Sequence, residues 1–368
     1  MTNPANIAFI IGTGRCGTSL LGQMLNSNSM ICVPPELQLI FECDGNGNRL
    51  IEEVWTRGGC DFSAEELSSI IKRCCPHKLE LFFDYEAYCK DAKLASLSES
   101  KLLTDFYSAI AKAHNKSWLI EQTPWYGQRI DLLVKLFPDA KFIHMVRDGR
   151  DVALSFSRTP WWHKSVGLNL GRWAREIKKI SVDASVYLDA SRYLEVRYED
   201  LVLNPKYELS RVCEFIGVDF EEPMVDATNF INYDDYCNFD VKSVSSQAYG
   251  DWKKEKSSPV FSGNIQAWRR VSNIFSFGLT DEINNALLRF GYSDSDEKCV
   301  NAEQYHFNLG LYASTLEMQL ADLNSTVADQ TEYIQLLEGS LKKKQDSLIK
   351  NFSRALSRRL KTFTRRKE

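Results

Sequence analysis

Residues 7–25 read IAFIIGTGRCGTSLLGQML, and the glycine-rich stretch 12–19 inside them decides the fold. The apolar run 7–11 before it predicts a buried strand, and the mostly apolar segment 20–25 after it predicts a helix. A glycine turn between a strand and a helix aims backbone N–H groups at an anion. The stretch therefore predicts a phosphate-binding loop (P-loop), and a turn that serves backbone geometry alone is the other interpretation.

The cation of this loop stands in an unusual place. Loops that bind nucleoside triphosphates end in Gly-Lys-Ser/Thr, because the lysine reaches the β- and γ-phosphates and the hydroxyl binds magnesium. Here Thr18 follows Gly17, and the only cation is Arg15. The loop therefore predicts a donor in which one phosphate is joined to a sulfate, with no metal required, rather than ATP.

A second arginine follows a second apolar run. Residues 141–146 predict a strand, Arg147 comes directly after it, and Ser155 falls on the helix predicted next. Because ligands of open α/β sheets lie outside the carboxyl ends of the strands, Arg147 and Ser155 are expected to reach a phosphate beside the loop. The alternative is an exposed Arg-Asp turn in which Asp148 and Asp151 are ordinary first-turn acids.

Together these segments resemble the P-loop sulfotransferases that use 3′-phosphoadenosine 5′-phosphosulfate (PAPS), and they are most similar to the tyrosylprotein and bacterial branch. The likeness extends over roughly residues 7–292. It rests on GRCGTS at 14–19, VRDGRD at 146–151 through Ser155, VRYEDL at 196–201, and FSG at 261–263 with Trp268 and Arg269. The resemblance implies transfer of a sulfuryl group from PAPS to an acceptor hydroxyl.

The resemblance also assigns roles to individual residues. Glu36, which follows Pro34 and Pro35, stands where the tyrosylprotein branch carries its catalytic base, and Arg15 is implied to stabilise the transferring group. The implied 5′ contacts are Gly14, Arg15, Cys16, Gly17, Thr18 and Ser19. The implied 3′-phosphate and nucleotide contacts are Arg147, Ser155, Tyr198, Ser262 and Gly263.

Two departures from the family pattern reduce the expected number of cations. Many relatives have a lysine before Thr-Pro near the transferring group, where this chain has Gln122, and others have Arg-Lys-Gly where this chain has FSG at 261–263. The expected consequence is one of three: slower chemistry, a different acceptor geometry or lost activity. A PAPS-binding or PAP-binding scaffold with little catalysis and a divergent P-loop kinase are therefore the alternative functions.

Composition and segment order predict the architecture. The 368 residues are 44% hydrophobic, and strand-like segments alternate with helical ones. The strand-like segments are residues 7–11, 117–122, 141–146 and 193–197. This order predicts an α/β domain over residues 1–300 with a parallel sheet and helices on both faces. The ten cysteines include no Cys-x-x-Cys pair, so no metal is expected, and with no leader-like N-terminus they favour a cytoplasmic location.

The C-terminal part follows a different pattern. Apolar residues recur in heptads between 309 and 348, which predicts a coiled-coil helix over residues 301–349 and a homo-oligomer; a helix packed on its own domain is the alternative. Residues 350–368 hold eight Lys/Arg against one acid and predict a basic amphipathic tail. Such a tail suits peripheral contact with an anionic inner membrane surface, or merely solvation of the helix end.

The net charge and the aromatic residues of the chain limit which class of acceptor is expected. Without the tail, 37 basic residues face 48 acidic ones, so nucleic acid is not expected as a partner. The hydroxyl-bearing acceptor is of unknown class, and a glycan or lipid-linked molecule is one hypothesis. Trp161, Trp162 and His163 are candidates for stacking on it, although packing within the protein explains most aromatic residues.

Overall fold

The computed structural model describes residues 5–40, 49–75, 78–91, 97–159, 162–236, 264–271 and 279–292. The chain divides into two units, Met1–Val300 and Asn301–Glu368, and all of the described residues belong to the first. The predicted coiled coil, the basic tail, Trp161, Ser262 and Gly263 lie outside the described residues.

A five-stranded parallel sheet forms the centre of the first unit, with strand order β2-β3-β1-β4-β5. The strands are β1 (Asn6–Gly12), β2 (Ile31–Cys32), β3 (Trp118–Glu121), β4 (Lys141–Val146) and β5 (Tyr193–Arg197). Four of them were predicted from apolar runs. The fifth, β2, has two residues, too few to show a period-two pattern.

Helices fill the connections between the strands and continue after β5. They are α1 (Thr18–Asn26), α2 (Leu50–Arg57), α3 (Ala64–Cys74), α4 (Tyr85–Asp91), α5 (Glu99–Ala113), α6 (Ile130–Leu136), α7 (Gly149–Arg158), α8 (Val166–Tyr187), α9 (Tyr198–Leu203), α10 (Pro205–Ile216) and α11 (Asp281–Arg289). In the described part of the chain, no helix is long and apolar enough to cross a membrane.

Both faces of the sheet are covered, as the sequence predicted. Along β1, Phe9 and Ile11 pack on one face in a cluster with residues of α5, α6 and α8, while Ala8 and Ile10 pack on the other with α1, α9 and α10. This alternation follows from the period of two in a strand. The α/β fold with helices on both faces is thus confirmed.

The strand order places β1 at the point where the chain changes direction across the sheet. The chain runs from β1 outward to β2, returns through β3, and then crosses β1 to form β4 and β5. A crevice forms at such a reversal, outside the carboxyl ends of the strands, and it is where open α/β sheets bind ligands. The loop after β1 therefore lies at the expected ligand position.

Candidate active site

The segments that follow the five strands lie along one edge of the sheet because all of the strands are parallel. In spatial order these are the segment with Glu36 after β2, Gln122 after β3, the loop of residues 13–17 after β1, Arg147 after β4 and Tyr198 after β5. The loop is central, with Glu36 on one side and Arg147 and Tyr198 on the other. Neighbouring strands are about 4.8 Å apart, so this edge spans about 20 Å.

The loop between β1 and α1 has the backbone of an anion-binding turn. Gly14 and Gly17 have φ angles of 73° and 100°, in the left-handed region where an L side chain is strained. Arg15 also lies there, with φ of 54°. Gly17 is the N-cap of α1 and has no side chain with which to cap the first-turn N–H groups, so those groups can donate to an anion.

The Cys16 thiol lies in the protein core, close to the main chain of Thr13 and Thr18. The side chain is fully buried, and a Cβ on Gly12 would lie 2.5 Å from the Cys16 Sγ atom. Burial raises the pKa of the Cys16 thiol to about 11, which keeps the thiol protonated at neutral pH. Any contact of Cys16 with a phosphate is thus through the backbone amide, and the thiol belongs to the core.

Two arginines from separate strand ends meet at this loop. Arg15 Nε donates to Ser155 Oγ at 3.1 Å, and Arg147 Nη1 donates to the carbonyl oxygen of Arg15 at 3.1 Å. Arg147 Nη2 donates to the carbonyl oxygen of Asn264 at 2.8 Å, and Asn264 directly follows the predicted contacts Ser262 and Gly263 in the sequence. The buried Arg147 Nε has no hydrogen-bond partner among the described residues.

Tyr198 closes this cluster from the β5 side. Its ring lies under the Arg147 guanidinium, with 4.3 Å between the guanidinium carbon and the ring centroid. The same ring approaches the loop, since a Cβ on Gly17 would lie 2.6 Å from Tyr198 Cδ2. The structure therefore brings together Arg15, Gly17, Ser155, Arg147 and Tyr198, which the sequence had placed in three separate motifs.

Gly17→Ala is expected to destabilise the protein and weaken anion binding, because the new methyl group would collide with the buried Tyr198 ring. Gly217→Ala is the matched control, since Gly217 has φ of 85° and nothing lies within 4 Å of the point where its new methyl group would be. Both variants carry left-handed backbone strain, and only Gly17→Ala adds overpacking of about 1–3 kcal/mol. Urea unfolding of the two variants measures this difference, and equal destabilisation would contradict the contact.

The turn that presents Arg147 is held by buried charges. Asp148 caps α7 by accepting from the Arg150 N–H at 2.9 Å, and Arg150 Nη2 lies 2.8 Å from Asp148 Oδ2. Asp151 accepts from the Trp268 N–H at 2.9 Å, and burial raises the Asp151 pKa to about 6. Asp148 is thus the N-cap of α7, and Asp151 lies in the first turn and holds the segment 264–271 through Trp268. The turn is buried, so the alternative of an exposed Arg-Asp turn is wrong.

Glu36 lies on a loop, residues 34–40, that follows β2 and that we call the Glu36 loop. Its side chain is half-buried, and Gln38 Nε2 donates to Glu36 Oε2 at 3.3 Å. Gln38 itself has φ of 47°, a left-handed backbone for a residue with a side chain. The predicted base is therefore placed at the ligand-binding edge, on the opposite side of the P-loop from Arg147.

Gln122 does not occupy the place of a site cation. It is buried, and its Nε2 donates to the carbonyl oxygen of Pro34 at 2.9 Å. A Cβ on Gly22 of α1 would lie 2.5 Å from Gln122 Oε1, so the amide is packed between the Glu36 loop and α1. Gln122, which replaces the lysine of the family pattern, thus holds the Glu36 loop through its hydrogen bond to Pro34.

Arg172 of α8 is a third arginine at the P-loop, and it was not predicted from the sequence. Its Nη2 donates to the carbonyl oxygen of Thr13 at 3.2 Å, and its guanidinium carbon lies 4.2 Å from the Trp125 ring centroid. The buried Nη1 has no hydrogen-bond partner among the described residues. No local signal pointed to Arg172, because Thr13 lies 159 positions earlier in the chain.

The strand order, the glycine loop and the paired arginines define the class of this protein as a P-loop α/β domain with a candidate anion-binding site at the end of β1. The chain belongs to the sulfotransferase family, whose sequence profile matches residues 8–222. Members of this family are transferase enzymes.

Named relatives and solved structures agree with this membership. The chain is 24% identical to nodulation protein NoeE of Sinorhizobium fredii over 78% of this chain and 66% of that protein. It is also 24% identical to protein-tyrosine sulfotransferase 2 of Gallus gallus, over 60% of this chain and 53% of that protein. The matched region thus spans about half to two thirds of the length of these relatives.

The sulfotransferase domain of the Synechococcus PCC 7002 olefin synthase has the same fold. It matches this chain with a TM-score of 0.55 and 24% sequence identity, covering 80% of this chain and 97% of that domain. At this level of identity the match establishes the fold alone.

Proposed function

We propose that this protein transfers a sulfuryl group from PAPS to an acceptor hydroxyl. One observation carries the proposal: Arg15, Ser155 and Arg147 converge on the glycine loop through hydrogen bonds of 3.1 Å. A glycine loop alone suits any phosphate. A second arginine from the neighbouring strand, with a buried Nε lacking a partner among the described residues, suits a nucleotide with a second phosphate.

The residues fit the donor that the family implies. The turn at Gly14 and Gly17 and the first-turn N–H groups of α1 would hold the 5′-phosphosulfate, and Arg147 with Ser155 would hold the 3′-phosphate. The Tyr198 ring, beneath the Arg147 guanidinium, keeps that cation in place. When bound, PAPS supplies a sulfuryl group on a phosphate leaving group.

Glu36 and Arg15 are the proposed catalytic residues. Glu36 takes the proton of the acceptor hydroxyl, whose oxygen then forms a bond to sulfur as the bond from sulfur to the phosphate oxygen breaks. Arg15 stabilises the negative charge that develops on that phosphate oxygen, and the loop amides assist. The positions of Glu36 and Arg147 on opposite sides of the loop suit an acceptor entering from the β2 side.

The acceptor site is proposed to lie beside Arg172 and its aromatic neighbours. The Phe156 and Trp162 ring centroids lie 4.6 Å and 4.7 Å from the Arg172 guanidinium carbon, and Phe156 approaches within 3.0 Å of a Cβ placed on Gly14. This apolar wall would exclude water from the reacting groups. Its cation, Arg172, is partly buried and forms an ion pair with Glu176 on the same helix, at 2.5 Å between Nε and Oε1. The hydroxyl of a protein tyrosine, which the Gallus gallus relative's name specifies, is one acceptor of suitable chemistry, and a glycan or lipid-linked hydroxyl is another.

Location and assembly complete the proposal. We infer a cytoplasmic protein that assembles as a homo-oligomer through residues 301–349 and contacts an anionic membrane surface through residues 350–368. The heptad pattern and the eight basic residues of the tail support these proposals. Seven cysteines of the described residues are unpaired and buried, which agrees with a reducing compartment.

Arg147→Ala is expected to weaken the binding of adenosine 3′,5′-bisphosphate (PAP) about 10- to 100-fold, because hydrogen bonds to charged groups contribute about 1.5–3 kcal/mol. Binding of 5′-AMP, which lacks the 3′-phosphate, should change little. Titration calorimetry with both nucleotides measures the difference. In a parallel assay, radiolabelled PAPS is incubated with a cell lysate, and the labelled acceptor is then isolated.

Arg192→Ala is the matched control for Arg147→Ala. Arg192 also donates to a main-chain carbonyl, that of Ala140 at 3.0 Å, but it precedes β5 and lies at the opposite edge of the sheet. It should leave both affinities unchanged. Equal loss of PAP and 5′-AMP affinity in Arg147→Ala would show that the 3′-phosphate does not bind at Arg147. If the parent protein does not bind PAP, the proposed function is wrong.

A further inference from the structure

Side chains at and after the end of β3 fasten the Glu36 loop along its whole length. Besides Gln122, which holds Pro34, Glu121 Oε1 accepts from the Leu37 N–H at 3.0 Å and Tyr126 Oη accepts from the Ile40 N–H at 2.9 Å. Thr123 Oγ1 lies 3.4 Å from the Gln38 nitrogen. Each fastening point is a main-chain group of the loop, so these contacts determine where the loop carries its one carboxylate.

Glu121 is the centre of this arrangement. It is completely buried at the end of β3, where it pairs in register with Phe9 of β1. Besides the Leu37 N–H, it accepts from the Thr123 N–H at 2.9 Å and from the Thr123 hydroxyl at 2.6 Å. A short chain of contacts then leads from Glu121 through Thr123 and Gln38 to Glu36.

We propose that Glu121 is a positioning residue for Glu36, which its buried carboxylate holds in place by fixing the backbone of Leu37 directly and that of Gln38 through Thr123. This inference rests on the proposed role of Glu36 as the base. It also explains why a residue with a left-handed backbone, Gln38, is held at this point, because strained residues persist where the surrounding structure determines them.

The ionised form of Glu121 is the one that matches these contacts. All three of its partners are donors, so a proton on the carboxyl group would displace one of them. Burial raises the pKa of Glu121 to about 7, the contacts with Thr123 and Leu37 lower it, and the charge of Glu36 raises it. The titratable groups that face it are Glu36, Tyr107 of α5 and Cys75, which follows α3.

Glu121→Gln tests the proposal because the amide presents an NH2 group to a backbone donor. We expect kcat for labelled transfer to the isolated lysate acceptor to fall about 10- to 100-fold, since small misplacements of a catalytic group cost this much. The KM for PAPS and the affinity for PAP should stay within about twofold. In the parent, kcat should rise with pH through about 7 as Glu121 ionises, and this rise should be absent in the variant.

Thr123 provides a second pair of variants with little risk to folding. Thr123→Val removes the hydroxyl at nearly constant shape and should lower kcat several-fold, whereas Thr123→Ser keeps the hydroxyl and should restore it. Hydrogen exchange, read by mass spectrometry on a peptide covering residues 34–40, should be faster in Glu121→Gln and Thr123→Val. Glu208→Gln, a buried carboxyl paired with Arg211 on α10, is the control and should change neither measurement.

Unchanged hydrogen exchange of the Glu36 loop in both Glu121→Gln and Thr123→Val would overturn the proposal. A rise of kcat through about pH 7 that persists in Glu121→Gln would also overturn it. If those variants behave as the parent while Glu36→Gln abolishes transfer, the positioning role is wrong and the proposed function stands. If Glu36→Gln retains full transfer, the base itself is misassigned.

Discussion

Glu36→Gln is expected to lower the rate of sulfuryl transfer by about a thousandfold, because a positioned general base contributes about 10²–10⁴ to a reaction of this type. The amide keeps the size of the side chain and its contact with Gln38, but it cannot take a proton from the hydroxyl. PAP affinity should remain near that of the parent. Transfer of label from PAPS to the isolated acceptor, together with calorimetry, measures both quantities.

Glu80→Gln is the control for this loss, since Glu80 is an exposed carboxyl on the turn Leu79–Leu81 and bears no relation to the ligand-binding edge. It should leave transfer unchanged. Equal turnover in Glu36→Gln and the parent would remove Glu36 from the role of base. A loss of PAP affinity as large as the loss of rate would instead make Glu36 a nucleotide contact.

The parts of this site that could be predicted from the sequence are those specified by residues close together in the chain. The apolar runs of β1 and β4 are adjacent to the P-loop and to Arg147, so strand, turn and side chain are specified within a few positions. The parallel sheet then brings them together without further information, because its strands end at one edge. The contact of Arg15 with Ser155, 140 positions away, follows from that arrangement.

The rest of the site depends on packing that no local pattern encodes. Gln122 was interpreted as a missing cation because its neighbours in sequence form a motif, but its direction is set by Pro34 and Gly22, which lie in other segments. No role was predicted for Glu121, the neighbour of that motif. In the structure it is buried and accepts the Leu37 N–H of the Glu36 loop. For such residues the tertiary contacts decide the role.

Arg15→Ala is expected to reduce sulfuryl transfer about 10²- to 10³-fold, which is the usual effect of removing one group that stabilises developing negative charge. PAP affinity should fall less, because the loop amides and Arg147 remain. Arg15→Lys keeps the charge but loses the planar guanidinium whose Nε donates to Ser155, so its rate should lie between those of the parent and Arg15→Ala. Labelled transfer and calorimetry on the three proteins measure this order.

The backbone at Arg15 makes this variant informative about function rather than stability. A residue with a side chain at φ of 54° carries strain of about 1–2 kcal/mol, and alanine would carry the same strain, so the unfolding free energies of Arg15→Ala and the parent should be similar. Arg129→Ala, which breaks an exposed ion pair with Asp131, should change neither rate nor affinity. A rate for Arg15→Ala equal to that of Arg129→Ala would show that the strained arginine does not take part in transfer.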